Sequence, residues 1–254
     1  MLLTPHGDPP LHFTFPGLRA LGVPHATTSR HCSGIASFTE PITADAERGP
    51  FGPDLTPILT GAGLAAARIA YARQVHGADS VEAPPAGGFA GRADVLATTE
   101  RGLPLAIFTA DCLAIALVDP DAPALVLAHV GWRGTARGAT QAAVAALSAR
   151  GGRPERARVA IAPSIGPCCY EVDEPVLGAF TAAYGRASER WFAPTGGGHA
   201  RLDLWAANEA LLAEAGVDPA RIENARLCTA CHPELLYSYR RGHRGRLVTV
   251  AALP

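Results

Sequence analysis

Apolar residues are distributed unevenly along this chain. Residues 1–65 are rich in Pro, Gly and Thr and carry little periodic pattern. There, "HATTSRHCSGIASF" (25–38) reads as a short strand and loop, and "TEPITADAERGPFGPDLTP" (39–57) as surface loop. From residue 66 the pattern sharpens. "ARIAYARQV" (67–75) and "DVLATT" (94–99) predict strands, and 105–110, 113–119 and 124–130 predict three strands buried on both faces. "TARGATQAAVAALSAR" (135–150) has the spacing of a helix ended by Gly151-Gly152. A strand over 158–163, helices over 174–185 and 202–216, and a final strand over 247–253 follow. Strands interleave with helices, which predicts an α/β or α+β fold with a mixed sheet.

Composition narrows the class. The 254 residues are 48% hydrophobic and 18% charged, enough for one sizeable core and against disorder. A net charge of -1 gives no electrostatic reason to expect nucleic acid or an anionic membrane as partner. There is no lysine, which excludes a Schiff-base or lysine nucleophile. "MLLTPHGDPPLHF" has neither the basic start nor the apolar core of a secretory signal, and no apolar run is long enough to span a bilayer. Six cysteines are too sparse for a disulfide scaffold, so a cytoplasmic protein with reduced thiols is expected.

The chemistry sits at strand ends. His76 follows the strand over 67–75, Cys112 follows that over 105–110, and His129 closes that over 124–130. Two imidazoles and a thiolate make a zinc first shell with a fourth position open for water or substrate. A metal-free arrangement, with Cys112 as nucleophile and a histidine as base, uses the same residues. Asp111, beside Cys112 in an apolar run, needs a partner. In "HVGWRGTARG", Gly131 and Gly134 allow close backbone approach, and Arg133 with the helix start behind it suits phosphate. Cys168-Cys169 and Cys228-x-x-Cys231 invite a four-cysteine zinc site, but a single Cys-x-x-Cys reads first as buried, unreactive thiols. "SYRRGHRGR" (238–246) is a basic cluster suited to phosphate or a carboxylate, or a solvated hairpin, with Arg240 and Arg241 pairing buried acids such as Asp203. Trp191 and Trp205 read as core.

Six motifs in order, "QVHGADS" (74–80), "TADC" (109–112), "HVGWRGT" (129–135), "PSIGPCCYEV" (163–172), "LDLWAAN" (202–208) and "CTACHPELLYSYRRGHRGR" (228–246), resemble those of the YfiH/laccase-domain family. The resemblance implies one such domain over 1–254, as a four-layer α/β/β/α sandwich with mixed sheets. It implies a zinc-dependent purine nucleoside enzyme, monomeric or a small homo-oligomer. Its activities would be phosphorolysis of adenosine, inosine, guanosine and methylthioadenosine, and deamination of adenosine. The family's metal ligands fall on His76, Cys112 and His129, with Asp111 beside them as a catalytic residue. Substrate contacts fall on Arg30, Gln74, Gly131, Arg133 and Gly134. The glycine-rich stretch after the family's arginine is "HCSGIASF" here, and its Asn-containing continuation is not recognisable. Two further labels attach to the family: editing of peptidoglycan precursors, which here would be an amidase using Cys112, and copper-dependent polyphenol oxidation. Nine histidines with no His-x-His pair argue against a multicopper chain, although Cys and His could bind copper in vitro.

Overall fold

The computed structural model describes residues 3–32, 51 and 55–254. Met1, most of the loop expected over 39–57, and most of the stretch after Arg30 lie outside the described residues. The first half of the chain forms β1 (Thr4–His6), β2 (His12–Thr14), α1 (Pro16–Ala20), β3 (His25–Thr28), α2 (Leu55–Gly61), β4 (Ala70–Arg73), β5 (Ser80–Glu82), β6 (Gly88–Arg92), β7 (Val95–Thr98), β8 (Leu105–Thr109) and β9 (Leu113–Asp119). The second half forms β10 (Ala124–Val130), α3 (Trp132–Ala136), α4 (Ala139–Ser148), β11 (Arg158–Ile161), β12 (Glu171–Val172), α5 (Glu174–Tyr184), β13 (Phe192–Gly196), β14 (His199–Leu202), α6 (Leu204–Glu214), β15 (Ile222–Asn224) and β16 (Leu247–Ala251).

Two mixed sheets form the centre. One runs β1-β2-β3-β16-β8-β4-β6, the other β15-β11-β9-β10-β7-β5, and β12-β14-β13 make a small third sheet. Period-2 alternation explains the layering. On β9, Leu113, Ile115 and Leu117 pack with Ala143 and Leu147 of α4, Phe180 of α5 and Leu211 of α6. The intervening Ala114, Ala116 and Val118 pack with Leu105 and Ile107 of β8 and Leu247 of β16. On the far face of β8, Ala106 and Phe108 meet Leu55, Ile58 and Leu59 of α2. Helix, sheet, sheet and helices thus stack as four layers. This is why the strands over 113–119 and 124–130 read as continuous apolar runs although they pair antiparallel: both of their faces are covered.

Two expectations change. The helix over 135–150 is two helices, because Gly138 takes a left-handed φ of +85° between α3 and α4. Glycine adopts that conformation at no steric cost, and a helical pattern with one internal glycine does not reveal it. The other is α2, which overlaps a segment that reads as loop; its buried Leu55, Ile58 and Leu59 cover the first sheet. Among the described residues no helix is long and apolar enough to cross a membrane.

Candidate metal centre

Strand pairing brings the three ligands together. β4 and β8 are parallel neighbours, with Ala70 opposite Leu105, so the segments after them leave the same edge of the sheet. Those segments carry His76 and Cys112. Cys112 lies in the turn by which the chain passes from the first sheet to the second, immediately before β9. On β9, Ala114 pairs with His129 of β10. The ligand atoms of His76, Cys112 and His129 all lie within 4.8 Å of one another. The imidazole centroids are 4.8 Å apart with the rings at 81°. His129 is buried and His76 is exposed, so the cluster is closed on the protein side and open on the His76 side. Two borderline nitrogens and a soft sulfur at such separations fit zinc; bonds of about 2.0–2.3 Å place tetrahedral ligands roughly 3.5 Å apart.

Asp94 holds this arrangement. Its carboxylate is fully buried at the start of β7. Oδ1 accepts from Nδ1 of His129 at 2.8 Å, which leaves Nε2 for the centre. The same carboxylate accepts the consecutive N–H groups of Val75, His76 and Gly77, at 2.7 Å for Gly77. Three N–H groups around one anion fold the 75–77 segment into a nest, and His76 takes a positive φ of 56° there. Arg137 fixes the other side of that turn by donating to the His76 carbonyl at 2.9 Å. One acid therefore orients two of the three candidate ligands. Sequence reasoning passed over Asp94, although the signal was the one that singled out Asp111: a carboxylate abutting an apolar run.

The electrostatics favour a thiolate. Burial alone would push the Cys112 thiol up. The charge and hydrogen bond of His129, then those of His76, outweigh it and bring Cys112 down to about 6. Burial opposes charge on His129, but Cys112 and Asp94 raise it to about 9. Burial also works against the Asp94 carboxylate, and the His129 and Gly77 hydrogen bonds overcome it, leaving it lowered. Each group thus favours the charged form of the other, a thiolate on Cys112 and an imidazolium on His129.

The other expected site residues divide. Gly131 touches the centre: a Cβ built there would stand 2.7 Å from Cys112 Sγ and 3.5 Å from His76 Cδ2. Gly134 lies behind it, its Cβ position 3.4 Å from the Gly77 carbonyl oxygen and from Ala139. Arg133 stacks on Trp132 with 4.3 Å from guanidinium to ring centroid and helps line a groove of about 480 Å³ between α3 and α5. Asp111 has a left-handed φ of 90° and turns away from the cluster. Its Oδ1 accepts from Thr229 Oγ1 at 2.6 Å and its Oδ2 from the Arg240 backbone N–H at 2.7 Å. The expected partner of Arg240 and Arg241, Asp203, instead caps α6 by accepting from the Ala206 N–H. Both ends of the Gln74 amide bond the Phe108 backbone at 2.8 Å and tie β4's exit to β8. Arg30 donates to the Pro233 carbonyl and lies over the Tyr237 ring at 5.6 Å, so its observed contacts are with the 233–237 segment.

Tyr170 is a second residue that sequence reasoning missed. Burial, then the Cys112 thiolate, pushes its phenol up, against the charge of Arg240; Asp111 and Arg133 act on it as well. The guanidinium of Arg240 lies over its ring at 5.4 Å. The phenol thus stands among Cys112, Asp111 and two arginines.

The family model described as multi-copper polyphenol oxidoreductase laccase matches residues 56–254. The chain belongs to this laccase-domain family. One laccase-domain relative, named purine nucleoside phosphorylase, from Deinococcus radiodurans, is 37% identical over 249 residues, covering 94% of this chain and 93% of its own. A second, named adenosine deaminase RL5, from an unknown prokaryotic organism, is 36% identical over 148 residues and covers 58% of this chain and 56% of its own. The crystal structure of YlmD from Geobacillus stearothermophilus aligns with a TM-score of 0.81 at 28% identity and covers 98% of each chain. The copper in the laccase-domain description meets one constraint here. Among the described residues, His76, Cys112 and His129 are the one metal-capable group that contains histidine. The other group is Cys168, Cys169, Cys228 and Cys231. Two of those thiols, Cys168 and Cys231, are exposed, so the expectation of burial does not hold for them.

Proposed function

We propose that the chain, acting as one domain over 1–254, is a zinc-dependent purine nucleoside phosphorylase of the cytoplasm. Its substrates would be adenosine, inosine, guanosine and methylthioadenosine, and it would deaminate adenosine as well. The observation that carries this reading is the convergence of His76, Cys112 and His129 on one centre, oriented by buried Asp94 and open at His76. The named activities of the laccase-domain relatives support the substrate class.

In phosphorolysis a phosphate oxygen bonds to ribose C1′ while the bond from C1′ to the purine nitrogen breaks. His76, Cys112 and His129 would hold the metal, which when bound supplies a Lewis acid beside the reacting groups. Arg133 and Arg240, whose charges both reach Tyr170, would neutralise phosphate and hold it near C1′. Gly131 keeps the space beside Cys112 Sγ free of side chain. Asp111 acts by positioning: it anchors the Thr229 and Arg240 segments against the cluster. In deamination water is the nucleophile, adding to the ring carbon that bears the amino group, and ammonia leaves.

The test is incubation of pure protein with inosine and phosphate, with and without a chelator. Hypoxanthine and ribose 1-phosphate are expected, and the chelator should abolish both. The low Cys112 thiol favours one other reading, a thiol amidase of peptidoglycan precursors. Its activity would survive the chelator.

A further inference from the structure

We infer that Cys168, Cys169, Cys228 and Cys231 form a second, closed metal site that takes zinc as a structural ion. Their four sulfur atoms lie within 4.8 Å of one another, and two pairs, Cys168–Cys231 and Cys169–Cys231, are 3.4 Å apart. A tetrahedral zinc with four sulfur ligands at about 2.3 Å spaces its sulfurs about 3.8 Å apart, so small side-chain shifts complete the shell. All four are free thiols.

The backbone builds the site from two segments. Ser164 and Cys228 form a parallel bridge, with Ser164 N–H donating to Leu227 O at 3.3 Å and Thr229 N–H to Ser164 O at 3.1 Å. Cys169 and Tyr170 N–H groups turn back onto the Gly166 carbonyl, which sets the adjacent cysteines on a tight turn facing Cys228. The Gly166 N–H donates to Cys228 Sγ at 3.3 Å, the outer-shell hydrogen bond that a ligating sulfur accepts. Arg241 Nε donates to the Ala230 carbonyl at 2.8 Å and places a cation beside the loop, offsetting the negative charge of a tetrathiolate. As each sulfur–zinc bond forms, its thiol proton passes to solvent; no electrons are transferred. Four protein ligands leave no open position, so the ion holds structure.

What it holds is the wall of the first centre. Tyr170 follows Cys169 directly, and Thr229, the partner of Asp111 Oδ1, lies between Cys228 and Cys231. The second ion would staple both segments behind the Asp111-Cys112 turn.

The experiment counts zinc in protein prepared under reducing conditions without a metal-affinity tag, reloaded with zinc and desalted. Two equivalents per chain are expected in the natural sequence, one in Cys168→Ser/Cys231→Ser, and one in His76→Ala/Cys112→Ala. Alkylation of the unaltered chain tests the same claim without a variant. Zinc should slow modification of the exposed Cys168 and Cys231 by about tenfold or more, and its removal should restore the rate. Equal zinc in the natural sequence and in Cys168→Ser/Cys231→Ser, Cys168 and Cys231 alkylating equally with and without zinc, or recovery of these four thiols as disulfides would each overturn the inference.

Discussion

Oδ1 of Asp94 lies 2.8 Å from Nδ1 of His129, and both side chains are buried. This hydrogen bond leaves Nε2 of His129 for the candidate centre, and the same carboxylate gathers the backbone that carries His76. Asp94→Asn keeps the size but loses the charge and half of the acceptor capacity. Metal affinity is expected to fall about 10- to 100-fold, measured by competition with a chromophoric chelator. Unchanged affinity would remove Asp94 from the account.

Gly131 tests the geometry sterically. Its φ of -92° suits any residue, so Gly131→Ala adds a methyl group without backbone strain. That methyl group would stand 2.7 Å from Cys112 Sγ. Overpacking of this kind costs about 1–3 kcal/mol, roughly a 5- to 150-fold loss of metal affinity. The circular dichroism spectrum should stay native.

The thiolate–imidazolium pair has a pH signature. Cys112 is lowered from 9.0 to about 6, so its contribution to stability is present above pH 9 and is lost as pH falls through 6. His129 is raised from 6.5 to about 9, so its contribution is present below pH 6.5 and is lost as pH rises through 9. The two run in opposite directions, and the pair should leave the stability of the metal-free protein nearly flat between pH 6.5 and 9. Alkylation isolates the thiol. In metal-free protein the rate at Cys112, followed by peptide mass spectrometry, should have its midpoint near pH 6. A midpoint near 9 would contradict the ion pair.

Asp111 is assigned to anchoring, and two variants separate that from proton transfer. Asp111→Ala loses two hydrogen bonds to a carboxylate and places alanine in the left-handed region. It should destabilise the metal-free protein by about 3 kcal/mol. Asp111→Asn tolerates that backbone and keeps an acceptor, so about 1 kcal/mol is expected. Denaturant unfolding measures both. If phosphorolysis vanishes in Asp111→Asn while stability and metal content hold, the residue moves a proton.

Much of this was legible in the sequence because burial writes itself plainly. β9 and β10 are covered on both faces, so their apolar runs have the boundaries of the strands. The three ligands stood out as polar residues interrupting such runs. The helix break at Gly138 and α2 were not legible. The first depends on one residue's φ, and the second is a short helix among prolines whose burial comes from the sheet it covers. Side-chain direction was not legible either. Asp111 and Cys112 are adjacent, yet the left-handed φ of Asp111 sends its carboxylate to Thr229 and Arg240 while the thiol meets the imidazoles. Gln74 and Arg30 matched a motif, but which neighbours absorb an amide or a guanidinium depends on tertiary contacts.

The most direct test measures ribose 1-phosphate formed from inosine and phosphate by protein whose zinc is counted in the same sample. The natural sequence is compared with Cys112→Ala. Product formation should rise in proportion to occupancy of the His76, Cys112 and His129 centre and be lost in the variant. A Cys112→Ala protein that has lost that ion yet forms ribose 1-phosphate at the natural rate would contradict the account.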